Sequence, residues 1–109
     1  MSQSWAYVYE HPGSDPSVDR HVVEGGGQRT VLVAVPDAGT AVEVARALVD
    51  DGVGLIELCG GFSTAAVAEV VRAVGDRVPV GHVTFSVENV PGAAAYSAAF
   101  TAEQGSGRR

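Results

Sequence analysis

The chain contains no lysine. That absence removes Schiff-base catalysis, a lysine-bound pyridoxal cofactor and the phosphate-gripping lysine of a P-loop. Its 7 cations are all arginines, scattered along the chain with two at its end, against 13 acidic residues, and the formal net charge is -6. No basic footprint exists in such a chain, so nucleic acid is not an expected partner. The single cysteine, Cys59, excludes an intramolecular disulfide. No apolar run approaches the roughly 20 residues that cross a bilayer, and no basic segment followed by an apolar stretch opens the sequence. The expectation is a cytoplasmic protein without membrane association. Charged residues are also scarce, at 18%, while 46% of the residues are hydrophobic. A disordered chain is less apolar than this, and the abundance of valine and alanine suits strands and helices packed face to face. The 109 residues are the size of one domain, read here as 1-103 with a flexible tail at 104-109.

Along the chain, Trp5-Ala-Tyr-Val-Tyr9 alternates aromatic and small apolar residues, the pattern of a strand with Trp5, Tyr7 and Tyr9 on one face. HPGSDPS then turns the chain, and Asp15-Pro16 can open a short helical turn through Val18. Arg20 to Glu24 and Thr30 to Val35 flank GGGQ as the arms of a hairpin, the second arm apolar enough to be buried on both faces. From Thr40 the period changes. Thr40 and Glu43 have capping-box spacing; Ala41, Val44, Ala45 and Leu48 form one helical stripe, and Gly52 ends it.

Val53 to Cys59 reads as the next strand, followed by a helix capped by Ser63 or Thr64, with Val67, Val70, Val71 and Val74 inward and Phe62 stapled onto Val67. Val78 to Phe85 is a further strand with Pro79 at its start. Glu43 with Arg46 and Glu69 with Arg72 repeat the same ion-pair spacing in the two helices. Beyond Phe85, Asn89 to Gly92 reads as a turn and Ala93 to Glu103 as a short alanine-rich helix. The fold class expected is α/β: a small, mostly parallel sheet of three βα-linked strands, an N-terminal strand or hairpin added at its edge, and helices covering the sheet.

The chemistry concentrates in GLIELCGGFS, residues 54 to 63. Strand alternation puts Leu55, Glu57 and Cys59 on one face. In the following strand Val80, His82, Thr84 and Ser86 share a face, and aligning the two βα repeats with one deletion sets His82 opposite Glu57. A carboxylate, an imidazole and a thiol would then converge near the carboxyl edge of the sheet, where open parallel sheets bind ligands. Gly60 and Gly61 allow close approach to backbone, and Phe62, Ser63 and Thr64 lead into a helix N-terminus suited to an anion. Glu57, His82 and Cys59 are therefore the candidate catalytic residues; Gly60, Gly61, Phe62, Ser63, Thr64, Tyr7, Tyr9 and Thr84 are the candidate ligand contacts. Each has a plainer explanation. A single buried cysteine is usually a small hydrophobe, a lone histidine is usually structural, and a glycine pair is a common strand-to-helix connection. A glutamate in an apolar strand is harder to explain as packing, because burying it without a partner costs several kcal/mol. His82, Glu57 and Cys59, with or without His11, lack the close pairs of a metal site. The GGG at Gly25 lacks the spacing of a dinucleotide loop.

AVEVARALVDDGVGLIELCGGF followed by VPVGHVTF resembles a family of small bacterial proteins classed as a domain of unknown function. The resemblance covers most of the chain, from WAYVY through VPVGHV, with IELCGGF its most distinctive segment. It implies a compact α/β domain and brings no activity. ALVDDGVGLIEL is also similar to the opening βα units of ketodeoxyphosphogluconate aldolase, where the residue matching Glu57 transfers protons. This chain is too short for a full barrel and lacks the lysine such aldolases require, so that likeness contributes topology and interest in Glu57.

The function expected is an acid/base enzyme of the isomerase, lyase or cyclase type, needing no cofactor and acting on a small oxygenated, anionic molecule. The alternative is a non-catalytic domain that binds a small ligand or a partner protein. A homodimer or higher homo-oligomer is expected in either case, from the exposed edge of so small a sheet.

Overall fold

The computed structural model describes residues 3–106. Five strands form one mixed sheet: β1 (Gln3–Glu10), β2 (Arg20–Gly25), β3 (Gln28–Val35), β4 (Ile56–Leu58) and β5 (Val80–His82), in the order β2-β3-β1-β4-β5. β3, β1, β4 and β5 are parallel, and β2 runs antiparallel to β3 along one edge. The hairpin joining β2 to β3 turns through Gly26 and Gly27, whose φ angles of 59° and 79° belong to the left-handed region that a two-residue hairpin turn demands. The turn predicted around Asp15 is present: the amides of Val18 and Asp19 both donate to the Asp15 carbonyl.

The N-terminal strand is not an edge. β1 lies at the centre, paired with β3 on one side and β4 on the other. Its alternating pattern was expected to add a strand at the side of the sheet, but alternation reports that one face is covered and says nothing about how many neighbours a strand has. The sheet as a whole has five strands, four of them parallel. β3 and β4, joined by helix α1 (Ala38–Asp50), are separated by β1. Successive strands of a (β/α) barrel are neighbours, so the topology departs from the aldolase likeness.

Helix α1 begins earlier than the Thr40 capping box implies. Asp37 is its cap, the carboxylate accepting from the Thr40 amide at 2.8 Å, and the chain leaves the helix through Gly52 at φ 103°. Helix α2 (Thr64–Val74) is capped by Ser63, whose hydroxyl accepts from the Ala66 amide at 3.1 Å.

Both helices lie on one face. Ala6, Val8, Val31, Val33, Val35, Ile56 and Leu58 point into a core completed by Ala41, Val44, Ala45, Leu48 and Val49 of α1 and by Val70 and Val74 of α2. Each such valine, leucine or isoleucine contributes about 1.5–3 kcal/mol by leaving water. Val71, expected inward, is 44% exposed. Arg72 pairs with Glu69 across one turn of α2 as the spacing predicted, and Arg77 reaches Asp50 at the end of α1 at 2.9 Å.

The opposite face of the sheet has no helix. Trp5, Tyr7 and Tyr9 of β1, Thr30 and Leu32 of β3, and Glu57 of β4 are partly exposed there. The expectation that helices cover the sheet holds for one side only. After β5, a 3-10 turn (Val87–Asn89) leads into helix α3 (Val90–Ser106), which replaces the predicted turn at Asn89 to Gly92 and extends beyond Glu103. Pro91 is accommodated because the first turn of a helix needs no donor there. The expected tail therefore begins inside α3, and its last residues, 107–109, lie outside the described residues. No helix among the described residues is long and apolar enough to cross a membrane.

Candidate functional site

Strands β4 and β5 are neighbours, as the convergence of Glu57 with His82 requires, but their register is displaced by one residue. Glu57 is the partner of Gly81, and His82 is the partner of Leu58. Paired residues of a parallel sheet project to the same face, so a one-residue displacement sends a side chain to the other side. His82 therefore leaves the sheet on the helix-covered face with Leu58, and Glu57 leaves it on the uncovered face. The imidazole Nε2 of His82 is shielded from solvent without a hydrogen-bond partner. The strand pairing therefore does not set Glu57 and His82 side by side on one face, as the expected convergence required.

The uncovered face does assemble other predicted residues. Tyr7 is the partner of Glu57 across β1 and β4, and the Tyr7 and Tyr9 rings stack with centroids 6.0 Å apart. Burial holds the Tyr7 phenol above its ordinary pKa, and the nearby Cys59 and Glu57 add to the effect. Tyr7 is thus a neutral hydrogen-bond donor beside a carboxylate. On the other flank of Glu57 stands Gly81, where an added Cβ would lie 3.8 Å from the Glu57 Cγ and meet no side chain closer. The result is a hollow beside the carboxylate. Two shallow depressions meet at Leu55 and Glu57, one running toward Gly81 and Val83 and the other toward Trp5 and Gln28. His82 borders the first because β5 is an edge strand.

The carboxyl edge has a different character. β1 and β4 lie at the point where chain connections depart in opposite directions, the usual crevice of an open α/β sheet. Cys59 receives a long contact from the Glu10 amide, 3.4 Å to Sγ. An added Cβ at Gly61 would lie 3.4 Å from the Glu10 Oε1 and 3.5 Å from the Cys59 Sγ. Partial burial and then the nearby Asp37 carboxylate raise the pKa of Glu10. Two acidic groups at this edge oppose the anion cradle expected at Gly60 to Thr64. The Ser63 hydroxyl already occupies one amide of that helix start, and Phe62, expected to meet ligand, is 3% exposed and belongs to the core. Gly60 serves the fold, since an added Cβ would come within 3.2 Å of the Val83 carbonyl oxygen. Thr84 lies on the exposed segment after β5.

Glu10, Asp37, Leu55 and Gly81 lie around the candidate site without having been singled out from the sequence. Gly81 carried a usable signal, because glycine inside a short apolar strand marks a place where something approaches closely. Glu10 carried none, as it reads alone as an ordinary polar residue at the end of a strand, and Asp37 carried only the signal of a helix cap. Among the described residues, no three His, Cys, Asp or Glu side chains are grouped closely enough to hold a metal ion.

The fold and this face define an α/β domain with a mixed sheet helix-covered on one side and a tyrosine–carboxylate pair on the other. The chain belongs to a family of unknown function (DUF6506), whose model matches residues 3–98. No curated protein and no solved structure matches it significantly, so the likeness to ketodeoxyphosphogluconate aldolase gains no support.

Proposed function

We propose that the chain acts on a small oxygenated molecule by proton transfer, as an isomerase, lyase or cyclase, at the uncovered face around Glu57. The observation that carries this reading is the pairing of Glu57 with Tyr7 beside the hollow at Gly81. In an isomerisation of a hydroxycarbonyl compound, the Glu57 carboxylate takes the proton from the hydroxyl-bearing carbon next to the carbonyl, and the Tyr7 hydroxyl donates a hydrogen bond to the developing enediolate oxygen. The substrate's hydroxyl proton passes to that oxygen, and Glu57 returns the first proton to the former carbonyl carbon, so that carbonyl and hydroxyl exchange places. Cys59 and Tyr9 wall the reacting group, and His82 has no part in the step. The acidic carboxyl edge favours a neutral substrate, or one whose negative group is directed away from Glu10 and Asp37.

The test is solvent deuterium incorporation into a panel of small carbonyl compounds, followed by NMR. Glu57→Gln is expected to lose about 10²-fold or more of the exchange rate while folding is unchanged. Gly81→Val, whose Cβ would stand 4.0 Å from the nearest backbone atom and whose methyls extend into the hollow, is expected to abolish binding of the same compounds. Exchange by Glu57→Gln at the wild-type rate would sink the assignment. The uncovered face also favours a second reading, a non-catalytic ligand-binding or interaction domain. Under that reading Gly81→Val loses ligand, but the wild type exchanges no proton with any compound it binds.

A further inference from the structure

The chain has two complementary deficits: a sheet face without a helix and a helix without a sheet. From Val83 to Glu103 every residue except Ala93 is exposed, and α3 packs mainly against the 3-10 turn that precedes it. Exposed large hydrophobic residues concentrate there, including Phe85, Val90, Tyr96 and Phe100. In α3 Glu103 is the one charged residue, a depletion that suits the centre of an interface better than a solvated surface. Alanines and Gly92 on the same helix permit close approach to a flat sheet. The uncovered face offers Trp5, Tyr7, Leu32 and Leu55, with Glu57 in their midst.

We propose that α3 is an exchange arm: in a two-fold dimer each copy lays its α3 across the uncovered sheet face of the other. This supplies the second helical layer that an α/β sheet needs to exclude water from both sides, and it closes the hollow beside Glu57. The area supports a second copy as occupant. A helix of 17 residues is about 25 Å long and about 10 Å wide, so one docking removes about 500 Å² counted on both surfaces. Two-fold symmetry doubles that to about 1,000 Å², the lower bound for a specific interface and above the area of most crystal-packing contacts. The isolated chain exposes 6913 Å² at 11.1 kDa, against about 5,700 Å² for a monomer of that mass. The inference is independent of the chemistry at Glu57, because assembly and turnover are measured separately.

The experiment uses the full chain, with sedimentation for mass and Trp5 fluorescence for cover of the face, since Trp5 is the sole tryptophan. The wild type should sediment as two chains and emit at shorter wavelength when concentrated than when dilute. A Tyr96→Glu, Phe100→Glu double variant and a separate Leu55→Glu variant should each sediment as one chain with red-shifted emission. The substituted side chains are solvent-facing in the single chain, so circular dichroism should be unchanged. A wild type that stays monomeric at all concentrations overturns the proposal, including one with blue-shifted emission, which would place α3 on its own sheet. A dimer that survives the α3 double variant also overturns it, since the contact would then be sheet to sheet or edge to edge.

Discussion

Glu10 and Asp37 share the carboxyl edge of the sheet, yet their surroundings move them in opposite directions. Asp37 accepts the Thr40 amide, a bond only the ionised carboxylate makes well, and its pKa is lowered from 3.8. Its stabilisation is complete above the unfolded value and disappears as pH falls through the lower folded one. Glu10 is raised above 4.5, chiefly by burial and then by Asp37. Its folded form holds the proton more tightly, so its charge opposes folding at neutral pH, and stability is regained as pH falls through that raised value. Urea midpoints between about pH 3 and pH 7 should separate the two. Glu10→Gln should raise the neutral-pH midpoint and remove the gain on mild acidification. Asp37→Ala should lower the midpoint at neutral pH and flatten its fall in acid, whereas Asp37→Asn should keep most of the cap. A Glu10→Gln midpoint below wild type at pH 7 would show that the carboxylate is held by a favourable contact instead.

At the scale of elements, the helices are specified locally and the short strands are not. The stripe at Ala41, Val44, Ala45 and Leu48, and the Ser63 cap, depend on residues three or four apart. Both appear where the spacing puts them. Ser63→Ala should cost about 1 kcal/mol, and Leu58→Ala, at a fully buried strand position, about 2–5 kcal/mol. Val71→Ala on the exposed side of α2 should stay within about 0.5 kcal/mol. Equilibrium urea unfolding checks all three, and a large loss at Val71 would mean that this side of α2 is covered in solution. β4 and β5 have only three residues each. Their register puts Val80 beside Ile56 on the core face, consistent with burial of apolar residues setting register, and in that register Glu57 meets Gly81 and not His82.

For the whole molecule, protection from exchange with solvent should follow the layers. Amides of β1, β3 and β4 pair inside the sheet over an apolar, buried core and should exchange slowest, at rates set by global unfolding. Amides of α3 should exchange within the fast limit of an unsupported helix in dilute protein, and slow markedly at concentrations where a second copy covers them. Hydrogen exchange read by mass spectrometry at two protein concentrations measures both. Fast exchange in β1 would contradict its place at the centre of the sheet.

The residues alone settled what depends on neighbours along the chain. The missing lysine removed several chemistries, the change of period at Thr40 marked α1, and the serine after Gly60-Gly61 marked the start of α2. They also marked Glu57 as a carboxylate without a packing reason, and Tyr7 and Tyr9 as companions on a strand face. Tertiary structure alone decided strand order, register and cover. A period-2 pattern is the same for a central strand as for an edge strand, so the pattern of Trp5 to Tyr9 could not place β1 between β3 and β4. A displacement of one residue leaves composition and periodicity untouched but moves His82 through the sheet. The partnership of Glu57 with Tyr7 and Gly81 therefore arises from hydrogen bonding between segments some fifty and twenty-four residues apart, which no local motif specifies.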